Sequence, residues 1–138
     1  MHPVLSTLLS SRVLWFIARL LLAVVFLSSG LAKVLAWDSS LLEMQAAGLQ
    51  PPWLFNLLTA IVLLGGATCL LLDRALWLGA GALATFLLLT IVIVHTFWNK
   101  QGPAQQLALF FALEHLSVIG GLACAAIASH ARRALRRA

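Results

Sequence analysis

The feature that most constrains this chain is a series of four apolar stretches, each long enough to cross a bilayer. About 20 helical residues, rising 1.5 Å each, cover the roughly 30 Å of hydrocarbon. The stretches run from about 15 to 35, 53 to 72, 76 to 98 and 107 to 128. Lipid offers no hydrogen bonds to a backbone, so each stretch satisfies its own as a helix. Tryptophans stand at or near several ends (Trp15, Trp37, Trp53, Trp77, Trp98), where amphipathic rings meet headgroups. The expected fold is all-α, an integral membrane four-helix bundle.

Composition agrees with that reading. A soluble domain carries about 25% charged residues, whereas this chain of 138 residues is 9% charged and 62% hydrophobic. It lacks the polar side chains to coat a globule. No linker, low-complexity tract or clear internal repeat divides it, so 1–138 reads as a single transmembrane domain without a separate catalytic unit. Cys69 and Cys124 form no CxxC pair and read as small packing residues. The first apolar stretch has some look of a signal peptide, but it is long for one and Lys33 follows at once, so it reads as a retained span.

An even number of spans puts both termini on one side. Arg12, Arg74 and the run Arg132, Arg133, Arg136 and Arg137 lie on that side, with Arg19 one turn inside the first span. The opposite side has Lys33 and Lys100. The positive-inside rule then places both termini in the cytoplasm. The basic balance is therefore a topology signal and not a nucleic-acid surface. The first external loop, 36–52, is expected to hold a short amphipathic helix, capped by Asp38-Ser39-Ser40 and ended by Gly48 and Pro51-Pro52.

Ionisable residues at membrane depth cost roughly 2.5–3.5 kcal/mol each on insertion scales. Glu114 and His115 lie about two turns into the fourth span, and His95 and Lys33 are at similar depth on other spans. Lys33, His95, Glu114 and His115 thus form a candidate polar cluster toward the outer surface. It reads either as a proton-handling or ligand-binding site or as a clamp between helices. Arg19 and Asp73 are expected to form a structural ion pair at the cytoplasmic boundary. Gly65-Gly66, Gly79, Gly81 and Gly120-Gly121 permit close helix approach, within the bundle or in a homo-oligomer. No GxSxG, HExxH, Walker loop or metal-type His/Cys spacing occurs, so no metal site is expected.

With the spans placed, the chain resembles the DoxX family of small four-helix inner-membrane proteins. The likeness lies in Arg19, Phe26 and Gly30-Leu-Ala-Lys33 of the first span and in Met44-Gln-Ala-Ala-Gly48-Leu-Gln-Pro51 of the loop. It continues through Leu64-Gly65-Gly66, His95 and Leu116-Ser-Val-Ile-Gly120-Gly121. Two positions depart from the family pattern. A glutamate usual in the second span is replaced near Val62, and a usual Lys-Asn in the fourth is Glu114-His115. If these positions face one another, Lys33 and Glu114 pair directly. The resemblance implies a bacterial-type inner membrane and redox partner proteins. Named relatives include a subunit associated with a terminal quinol oxidase and with thiosulfate:quinone oxidoreduction. An accessory subunit of a redox assembly is the leading expectation. The alternatives are a quinone-binding component using the polar cluster and a small proton-coupled transporter.

Overall fold

The computed structural model describes residues 3–137, and all regular structure among them is helical. A short α1 (Pro3–Ser10) is followed by α2 (Arg12–Leu35), α3 (Trp37–Ala46), α4 (Pro52–Leu72) and α5 (Leu76–Ile93). A single 3₁₀ turn (Phe97–Asn99) then leads into α6 (Gly102–Leu135). Four segments, Arg12–Leu35, Pro52–Leu72, Leu76–Asn99 and Gly102–Leu135, are long and apolar enough to span a membrane. They match the four expected spans.

The boundaries follow local chemistry. Ser11 caps α2 by accepting from the N–H groups of Val13 and Leu14 at 3.2 and 3.4 Å. Pro52 opens α4, where its missing N–H costs nothing. The tight α4–α5 turn holds Asp73 and Ala75 in the left-handed region, at φ 53° and 48°; aspartate enters that region more readily than alanine. Helix α5 ends at Ile93, so His95 sits in the link beyond it. At 34 residues, α6 is about 51 Å long and outruns the hydrocarbon thickness by several turns.

The short helix expected in the first long loop is present, with a different start. Ala36 ends α2 and begins α3, so Ser39 and Ser40 lie inside the helix and do not cap it. Their hydroxyls donate back to the carbonyls of Ala36 and Ala32 at 3.0 and 3.3 Å. The immediate α2–α3 junction leaves no room for a separate cap. A helix that the sequence reading passed over, α1, precedes the first span.

The spans pack in chain order. Helix α2 lies along α4, α4 along α5, and α5 along α6, while α2 and α6 meet only sparingly. The core is a narrow seam of Phe26, Leu63, Leu70, Leu76, Leu83 and Leu122. Leu21, Ile61, Val92 and Phe110 point outward and are more than half exposed, as a lipid-facing surface requires. Glycine sets the α4–α5 spacing at two places. A Cβ on Gly66 would lie 2.5 Å from Leu83, and one on Gly79 2.5 Å from Cys69. Small residues at such crossings let membrane helices gain contact area.

Candidate functional site

The loose α2–α6 seam leaves a cavity of about 300 Å³ in the half of the bundle away from the termini. Its apolar wall includes Phe26, Leu63, Phe86 and Leu87, and its polar groups are Ser29, Lys33, Ser40, Glu43, Thr90 and His115. Lys33, on the last turn of α2, forms an ion pair with Glu43 of α3. The lysine side chain is 12% exposed and the carboxylate 64%, so the pair runs from the cavity to its mouth. Asn56, fully buried on α4, donates to the Lys33 carbonyl at 2.9 Å and so holds α4 against that turn. Thr90 donates to the Phe86 carbonyl at 2.9 Å and keeps its oxygen free to accept from another donor.

His115 enters the cavity from α6. Its ring meets His95 edge-on, with centroids 4.9 Å apart and planes at 88°. His95 in turn stacks on Phe111 at 5.1 Å. The structure thus brings together three members of the expected cluster, Lys33 and His115 as lining and His95 behind His115. Glu114 is separate. It is exposed on the outward side of α6, and Lys33 takes Glu43 as its partner instead. Adjacent helical residues point about 100° apart, so with His115 turned inward its neighbour is turned away. A direct Lys33–Glu114 pair is not formed.

A second polar network lies at the end carrying the termini, and it corrects the expected Arg19–Asp73 pair. Arg19 is buried, yet no direct bond joins it to Asp73. Its Nη1 donates to the carbonyls of Leu70 and Leu71, each at 2.9 Å, and its Nε to that of Trp15 at 3.3 Å. The guanidinium also lies 5.1 Å from the Trp15 ring centre. It therefore caps the carbonyl end of α4, where orphan acceptors and the negative helix pole attract a cation.

Asp73 turns toward α6 and accepts from Trp15 Nε1 at 2.9 Å and from Ser129 Oγ at 2.5 Å. Arg133 is the direct ion partner, at 3.5 Å, and also donates to the Asp73 carbonyl. Burial pushes the Asp73 carboxyl up. The hydrogen bonds from Ser129 and Trp15 and the charges of Arg19 and Arg133 outweigh it, and the pKa lies below the ordinary carboxylate value. Cys69 and Cys124 are free thiols, half-buried and exposed respectively. Among the described residues, no group of three or more His, Cys, Asp or Glu side chains could hold a metal.

Glu43 was missed by the sequence reading, as were Ser29 and Thr90, and Ser40 was read only as a helix cap. The available signal for Glu43 was its place on a helix following directly on the span that carries Lys33 in its last turn. A carboxylate there, ten residues on, folds back within reach.

Comparison with known proteins adds one finding. The DoxX family model matches residues 14–96, which covers nearly all of α2 and runs through α5. The matched segment includes Lys33, Glu43 and His95 but ends before Glu114 and His115. No curated protein and no solved structure matches the chain.

Proposed function

The chain belongs to the DoxX family, and from that membership we propose that it is an accessory membrane subunit of a redox assembly whose cavity takes a quinone headgroup. Its four spans make it a multi-pass membrane protein. One observation carries the quinone reading: an apolar slot inside the bundle is furnished with separate hydrogen-bonding groups from α2, α5 and α6. A quinone ring is flat and apolar and carries two carbonyl oxygens that need donors. Phe26, Phe86 and Leu87 suit the ring, while Ser29, Lys33 and His115 supply donors. The His115 imidazole can donate to a quinone oxygen from one ring nitrogen and accept from a hydroxyl at the other. The sparse α2–α6 seam offers a way in from lipid that leaves the Leu63–Leu83 core undisturbed.

In this reading the chain is one transmembrane domain in a bacterial-type inner membrane. The arginine-rich end faces the cytoplasm, and the cavity lies toward the outer leaflet. Glu114, turned away from the cavity, is on the surface that a partner subunit or a second copy would approach. The test is mass spectrometry of a mild-detergent purification, scored for lipidic quinones and for co-purifying proteins. A bound quinone together with redox proteins is the expected result. Absence of quinone from organic extracts, with none taken up on addition, overturns the cavity assignment. Quinol oxidation by the isolated chain overturns the accessory role.

A further inference from the structure

All of the chain's arginines stand at the end of the bundle that carries the termini, and both lysines lie at the other. Asp73 is the one acid at the arginine end among the described residues, and Trp15, Ser129 and Arg133 already engage it. Arg19 and Arg132 direct N–H groups at backbone carbonyls. Arg12, Arg74, Arg136 and Arg137 are exposed, and neither ion pair among the described residues includes them. Four guanidinium groups at one membrane boundary therefore lack an anion, and their planar forks match phosphate oxygens.

Helix α1 supplies an apolar edge beside them. Val4, Leu5, Leu8 and Leu9 share one side of it and are 52–63% exposed, while Ser6, Thr7 and Ser10 lie on the other side. Eight residues make a helix of about 12 Å, too short to cross the bilayer. It is nevertheless fixed in place. Arg132 donates to the carbonyls of Leu9, Ser10 and Ser11 at 3.4, 3.0 and 3.4 Å, at the end of α1. A short, one-sided helix anchored at a membrane boundary belongs in the plane of the interface.

We infer that this end of the bundle is a binding surface for anionic phospholipid, with α1 in the interface and the four exposed arginines on headgroup phosphates. A soluble polyanion would satisfy the arginines and leave the apolar side of α1 in water. A lipid satisfies both. Each basic residue near an anionic membrane surface favours binding by a factor of about five, and the sum is weakened by salt.

The full chain is reconstituted in a bilayer of phosphatidylcholine and phosphatidylglycerol in equal parts, then examined by native mass spectrometry for retained lipid. Retention of phosphatidylglycerol over phosphatidylcholine by about tenfold or more is expected. Joint Arg12→Gln, Arg74→Gln, Arg136→Gln and Arg137→Gln substitution brings the preference toward unity, and the same four positions as lysine restore most of it. A nitroxide at Leu5→Cys, in a chain with Cys69→Ala and Cys124→Ala, is expected to be more accessible to oxygen than to an aqueous nickel complex. The order reverses at Ser6→Cys. Equal retention of the two lipids by the unaltered chain, or a Leu5 label as wet as that at Ser6, overturns the inference, whatever the glutamine variant does.

Discussion

The indole of Trp15 donates to Asp73 at 2.9 Å across 58 residues of sequence. The same carboxylate accepts from Ser129 at 2.5 Å. One side chain in the α4–α5 turn thus ties the first span to the last, two helices that share few other contacts. A carboxylate sharing charge-assisted hydrogen bonds is stronger there than an apolar contact of the same size would be.

Asp73→Asn is expected to lower stability by about 1.5–3 kcal/mol, the usual range for hydrogen bonds to a charged group. The pH dependence has a definite sign. Because the folded pKa is depressed, the stabilisation is full above the ordinary aspartate value of about 3.9 and fades as pH falls through the lower folded value. Thermal unfolding in detergent, followed by tryptophan fluorescence, should show an acid limb below about pH 4 in the native chain. In Asp73→Asn that contribution to the limb is absent. An identical acid limb in both proteins would assign it to other groups.

Arg19→Lys is expected to destabilise even though charge is kept. A single ammonium cannot reproduce the fork that joins Leu70, Leu71 and Trp15. Loss of one or two buried hydrogen bonds predicts about 1–3 kcal/mol, measurable as a lowered midpoint in the same unfolding assay. Were the interaction with Asp73 a simple charge pairing, lysine would substitute with little cost.

Glycines that look alike in sequence should divide sharply. Gly66→Ala and Gly79→Ala place a methyl group against Leu83 and Cys69 and are expected to cost about 1–3 kcal/mol by overpacking. Gly81→Ala and Gly120→Ala meet nothing within 4 Å. They should be neutral or stabilising by up to about 1 kcal/mol, because alanine is the better helix former. Thermal midpoints of the four single variants decide the matter.

The contrast shows which levels of the structure the sequence makes legible. Span number and position follow from the length of apolar runs, a one-dimensional property, and α2, α4, α5 and α6 lie where those runs do. Which helix face turns inward is not one-dimensional in a span that is apolar all round. Glu114 and His115 therefore looked equivalent, and only packing against α5 turns the histidine inward. Arg19 and Asp73 were recognisable as neighbours by depth. The left-handed Asp73 backbone, which aims the carboxylate at α6, has no signature in residue type alone. Lys33 pairs with Glu43 because only Ala36 separates α2 from α3, so the chain folds back and brings the Glu43 carboxylate to the lysine.

The last prediction separates a binding cavity from a clamp. His115→Leu removes a donor from the wall but preserves apolar bulk, and Lys33→Met does the same at the end of α2. The Glu43 carboxylate of the Lys33–Glu43 pair is largely in solvent, so loss of the pair should cost about 1 kcal/mol of stability or less. If the cavity holds a quinone, each substitution lowers affinity by about three- to tenfold, the value of one net hydrogen bond, while the thermal midpoint without ligand hardly moves. Glu114→Gln, on the outer side of α6, should leave quinone affinity unchanged. Titration of purified variants with a water-soluble short-chain quinone, read by quenching of tryptophan fluorescence, measures all three. A clamp would give the opposite pattern, with lowered midpoints for His115→Leu and Lys33→Met and no change in binding among them.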